Sequence, residues 1–119
     1  MRKIVLSSVP YSDNIEQWIS SNVTKPKGNC FFYSGVLALL DSSLTLKEGK
    51  PADPDRGETA HFYLEDSDGK VIDPTKKQLK KLYEYKGKTI DVKKNIGALV
   101  KDPLFKTLHK QDQDKILAR

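Results

Sequence analysis

Cysteine is nearly absent from this chain: its 119 residues include one, Cys30, and only two histidines, His61 and His109. A single cysteine excludes an internal disulfide and any cysteine-rich zinc site. Two histidines are too few for a histidine cluster, so neither a metal nor another cofactor is expected. Long apolar runs are also missing. No window approaches the roughly 20 apolar residues of a membrane span. After Met1-Arg2-Lys3, the run from Ile4 to Val9 is too brief for a secretory leader. A cytoplasmic protein with no membrane partner is expected. Internal repeats and low-complexity tracts are absent. At 37% apolar and 31% charged residues the composition is that of a soluble globular protein, and the length suits one domain over residues 1–119 with a single modest core.

The lone cysteine lies in the most apolar stretch, Lys27 to Leu40. Asn29 is a favoured helix N-cap, and the apolar run behind it predicts a buried helix with Cys30 in its first turn. Backbone N–H groups and the positive end of the helix dipole favour an anion there, which draws a thiol below its free pKa of about 8.5. Gly28 lets backbone come close to that sulfur, as a substrate carbonyl requires. The helix alone leaves a second reading open, a small buried core cysteine.

A second stretch bears on that choice. Ala60 to Asp66 is rich in β-formers, Ser67-Asp68-Gly69 follows, and Lys70 to Thr75 resumes. Asp-Gly between such runs signals a hairpin, which puts His61 and Asp73 on adjacent antiparallel strands. With a two-residue Asp68-Gly69 turn, Leu64 pairs with Asp73. His61 then sits about three residues, roughly 10 Å, beyond the partner of Asp73, too far for a direct bond. A longer loop over Asp66 to Lys70 brings the two closer, so the register stays open at this point.

Cys30, His61 and Asp73 together supply a nucleophile, a base to take its proton and a carboxylate to orient that base. In this respect the sequence resembles the papain-like superfamily, in particular its transglutaminase-like branch. The resemblance is carried by Gly28-x-Cys30-aromatic and by His61-Phe62-Tyr63-Leu64-Glu65 with Gly69-Lys70-Val71-Ile72-Asp73-Pro74-Thr75, and it covers about Lys27 to Thr75. It implies a cysteine at the start of a buried helix, a histidine on the next strand and an aspartate on the strand after it. It further implies an oxyanion donor from the segment before the cysteine. Trp18, Gln17 and Asn22 are the candidates there, with Asn29 beside the nucleophile, but no residue matches the family's glutamine position. The backbone N–H of Cys30 is the other donor to be expected.

Elsewhere, Arg2 to Val9 reads as a short strand stopped by Pro10. Ser12 or Asp13 then caps a helix with Ile15, Trp18, Ile19 and Val23 on one face, and packing on the core is the simpler role for Trp18. Leu44-Thr45-Leu46 reads as a strand, and Lys47 to Thr59 as a polar connection. Its acidic residues, Glu48, Asp53, Asp55 and Glu58, make it either a lid that admits cationic or polar substrates or a plain solvated link.

From Pro74 onward there are 13 Lys or Arg residues against 5 Asp or Glu, whereas the preceding residues hold 8 against 11. Helical spacing recurs in this basic part: Thr75 capping a helix through Leu79, Leu82 and Tyr83, a Thr89 to Val92 strand, and a helix with Ile96, Leu99 and Val100. Asp102-Pro103 breaks that helix, and Leu104, Phe105, Leu108, Ile116 and Leu117 follow. An acidic partner or a nucleic acid would suit these lysines, although no aromatic-basic module accompanies them and a solvated basic face is the simpler account.

The expected fold is α+β, a papain-like or transglutaminase-like core with the cysteine helix packed on a small antiparallel sheet and a basic, mainly helical C-terminal part. The expected activity is thiol acyl transfer from a peptide or amide substrate, a protein included, to water or an amine. Two alternatives are an inactive papain-like fold that binds and a basic nucleic-acid-binding protein.

Overall fold

The computed structural model describes residues 12–25, 29–49, 61–75 and 87–118, with the backbone alone at 12–14. The expected strand over Arg2–Val9, the connection beyond Gly49 with its lid, Gly28, the helix through Leu79 and Tyr83, and the capping side chains of Ser12 and Asp13 lie outside that description. Within it the chain is α+β. Helices α1 (Ser12–Asn22), α2 (Cys30–Leu40), α3 (Ile96–Lys101) and α4 (Lys110–Leu117) accompany strands β1 (Thr45–Gly49), β2 (His61–Glu65), β3 (Val71–Ile72) and β4 (Lys88–Thr89). The strands form an antiparallel sheet in the order β3-β2-β1-β4. Among the described residues no helix is long and apolar enough to cross a membrane.

Helix α2 has no charged residue, and every side chain from Phe32 to Leu40 is buried. A helix that is apolar all round needs neighbours on every side. On one side Ser34 Oγ donates to the Phe62 carbonyl at 3.3 Å and the Phe31 and Phe62 rings meet edge to face at 4.9 Å, which joins α2 to β2. On another side α2 meets α3 at Gly35. Its missing side chain makes room for α3 and not for the sheet, since a Cβ there would stand 3.0 Å from Leu99 Cδ1. The C-terminal part completes the enclosure: Leu99, Leu104, Phe105, Leu108 and Ile116 are all buried in the same core. Asp102 starts the short 3-10 turn Pro103–Thr107 by accepting from Leu104 N–H at 2.9 Å, with Pro103 fixing the break. Leu117, by contrast, is exposed.

Three boundaries differ from the sequence expectation. Strand β1 runs on to Gly49, because Lys47, Glu48 and Gly49 pair with Tyr63, Phe62 and His61. Strand β4 is Lys88–Thr89, and the expected continuation through Val92 gives way to a 3-10 turn, Val92–Asn95, as Asp91 accepts from Lys93 N–H at 3.1 Å. Asn29 precedes α2 but makes no capping bond; its Nδ2 donates to the Lys25 carbonyl at 2.8 Å.

Close packing at Gly35 has a measurable consequence. Gly35→Leu should destabilise the fold by roughly 1–3 kcal/mol through overpacking against Leu99, lowering the melting temperature by several degrees. A coincident melting curve would mean that α2 and α3 do not pack there.

Candidate functional site

The site depends first on the hairpin between β2 and β3. Glu65 pairs with Val71 and Leu64 with Ile72, one residue out of step with a two-residue turn. The cause is Asp66. Its Oδ1 accepts from the N–H groups of Asp68 and Lys70, both at 2.9 Å, while Asp66 N–H donates to the Lys70 carbonyl. Gly69 takes φ +81, the left-handed position that closes a three-residue loop. A one-residue change in register moves side chains to the other face of a strand. The odd offset between His61 and Asp73 therefore becomes an even one of two residues, a diagonal separation of roughly 7–8 Å that side chains span.

They do span it. His61 Nε2 and Asp73 Oδ2 are 2.6 Å apart, with both side chains almost fully buried. Asp73 follows directly after β3, and the Asp73-Pro74-Thr75 turn holds its other oxygen: Oδ1 accepts from Thr75 N–H at 3.2 Å and from Thr75 Oγ1 at 3.4 Å. Cys30 comes from the first turn of α2 and stands close enough to the His61 ring to raise its pKa. With Nε2 on Asp73, Nδ1 is the nitrogen left to exchange a proton with the sulfur. Cys30 is only half-buried, where α2 emerges from the core.

Burial is the largest single influence on His61 and lowers its pKa. The hydrogen bonds to Asp73 and Cys30 and the charges of both outweigh it, and the ring is raised from 6.5 to about 9. At neutral pH it is an imidazolium.

No protein-family model, curated protein or solved structure matches this chain.

The arrangement brings Cys30, His61 and Asp73 together, and the proposed oxyanion donors Trp18 and Asn22 have hydrogen-bond partners of their own. Trp18 belongs to the core: its indole N–H donates to Asp112 Oδ2 at 3.0 Å, a buried bond that ties α1 to α4 and uses up its one donor. Asn22 is likewise engaged, donating to the Trp18 carbonyl at 2.9 Å. Gln17 is exposed on α1. Asn29 adjoins Cys30 in the chain but spends one amide hydrogen on Lys25. Among the described residues no three His, Cys, Asp or Glu side chains converge as a metal site.

Two residues here escape a reading of the sequence. Tyr63 stacks on His61 with ring centroids 6.4 Å apart, and its hydroxyl accepts from Gly87 N–H at 2.7 Å. A Cβ on Gly87 would stand 2.7 Å from the Glu48 carbonyl oxygen and 2.8 Å from the Tyr63 hydroxyl, so only glycine fits. Burial, opposed by the Gly87 N–H and aided by the Glu65 charge, holds the Tyr63 phenol above its ordinary pKa. Thr75, fully buried, is the second. A threonine two residues after an aspartate is the signal for such a turn.

The raised His61 pKa links the site to stability. Because the folded-state value exceeds the unfolded 6.5, the protonated ring stabilises the fold fully below about pH 6.5, and that contribution is lost as pH rises through about 9. Asp73→Asn should therefore cost more stability at pH 6 than at pH 9.5. Thermal melts at the two values check this; an equal loss at both would mean that Asp73 does not support the charged ring.

Proposed function

We propose that this protein is a thiol-dependent acyl-transfer enzyme in which Cys30 is the nucleophile, His61 the general acid and base, and Asp73 the group that orients the ring. The observation that carries this reading is the buried His61–Asp73 bond together with a half-buried cysteine near enough to the ring to raise its pKa. Taking an imidazolium and a carboxylate out of water is expensive, and a core gains more from apolar packing of the same volume. Perturbed, paired titratable groups beside a reachable nucleophile are instead what acyl chemistry requires. The α+β arrangement, with the cysteine opening a buried helix and the histidine opening a strand, fits a papain-like or transglutaminase-like core.

In the proposed cycle the sulfur attacks the acyl carbon of a peptide or amide as the thiolate, with His61 protonated beside it. A C–S bond forms as the tetrahedral oxyanion develops, with the Cys30 backbone N–H as donor. His61 then gives its proton to the departing amine as the C–N bond breaks. Water or an acceptor amine, losing its proton to His61, attacks the thioester and releases the sulfur. Asp73 keeps Nε2 engaged throughout, so Nδ1 faces the reacting atoms.

This mechanism makes a specific demand on pH. Since His61 must be protonated to expel the amine, kcat/KM for an amide substrate should fall on the alkaline side with a midpoint of about 9. Asp73→Asn should move that limb to lower pH. Iodoacetamide should label Cys30 without denaturant, and His61→Ala should slow the labelling by roughly 10-fold or more at neutral pH. Labelling that requires denaturant and ignores His61 would reduce Cys30 to a core residue and leave a binding protein.

A further inference from the structure

The Asp73 carboxylate has two oxygens with different tasks, and Thr75 engages one of them. Oδ2 faces the His61 ring, while Oδ1 accepts from both the backbone N–H and the hydroxyl of Thr75. Pro74 between them fixes φ and stiffens the turn. Thr75 is completely buried, and among the described residues the hydrogen-bond partner of its hydroxyl is Asp73. Burying a hydroxyl costs free energy unless it is used. An apolar residue of the same shape would satisfy the packing at that position.

We infer that Thr75 is a positioning residue for the Cys30–His61–Asp73 site: it clamps Oδ1 so that Oδ2 stays locked on His61 Nε2 and the ring keeps Nδ1 turned to Cys30. The inference rests on the acyl-transfer reading for its purpose, but its physical content, control of the ring by Thr75 through Asp73, is independent of turnover. Two opposing effects follow from removing the hydroxyl. Loss of a donor makes the carboxylate more basic, which favours the imidazolium; loss of the clamp lets the carboxylate rotate away, which disfavours it. The Oγ1 contact is long, at 3.4 Å, so its electronic effect is small, whereas the His61–Asp73 interaction at 2.6 Å depends steeply on position. The clamp therefore dominates.

The test is NMR titration of the histidine ring nitrogens in Thr75→Val and Thr75→Ser. The only other histidine, His109, is exposed and serves as an internal reference. Thr75→Val should lower the His61 midpoint from about 9, reducing the ring's proton affinity by roughly 3- to 10-fold, and Thr75→Ser should restore it. Should Thr75→Val not fold, Thr75→Ala removes the same hydroxyl without adding a methyl group and is scored in its place. A midpoint that stays put or rises in the folded variant overturns the inference. Iodoacetamide labelling of the same proteins separates it from the functional reading. If the midpoint falls while labelling ignores His61, Thr75 positions the ring and the acyl-transfer reading is lost; if labelling depends on His61 while the midpoint is unmoved, the reading survives and Thr75 has no part in it.

Discussion

The buried bond between His61 Nε2 and Asp73 Oδ2 is the constraint around which the β2–β3 hairpin is arranged. An imidazolium and a carboxylate cannot be left unpaired in a core, because the desolvation of either alone costs several kcal/mol, on the order of what holds a small domain together. The pairing requires an even offset across the hairpin. That offset requires a three-residue loop, and the loop exists because the Asp66 side chain gathers the N–H groups of Asp68 and Lys70 over a left-handed Gly69. A surface turn thus sets which face the buried carboxylate occupies.

Helix α2 connects that pair to the rest of the fold. From Phe32 to Leu40 it is core, held to β2 by Ser34 and closely approached by Leu99 at Gly35. Cys30 and Phe31 precede the fully buried span, where the helix emerges. The same apolar packing that fixes the helix therefore sets where Cys30 stands relative to the ring. Such an arrangement keeps the proton donor and acceptor in a low-dielectric setting, in which their mutual interactions are strong.

Much of this was legible in the sequence, and the reasons for the exceptions are physical. The cysteine at the first turn of an apolar helix, the histidine strand and the hairpin all follow from local pattern, which short-range forces dictate. The register did not follow: Asp68-Gly69 signals a two-residue turn, and only the side chain of Asp66, competing for backbone donors, selects the longer one. The direction faced by Gly35 was equally hidden, since a gap in an apolar helix indicates a close neighbour without saying which. Trp18 illustrates the same limit, because its partner Asp112 lies 94 residues away and no local pattern reports it. The β4 strand was misjudged in length because Asp91 is a strand residue by its neighbours and a cap by its side chain.

The central claim, that Cys30 is a nucleophile served by a His61–Asp73 pair, is tested most directly by trapping the acyl-enzyme. The native protein is mixed with an activated ester, the released alcohol is followed at short times, and the acylated residue is located by peptide mapping. The account predicts a burst of about one equivalent with the acyl group on Cys30, abolished in His61→Ala while the fold is retained. Acylation of Cys30 that proceeds no faster in the native protein than in the denatured chain would contradict it.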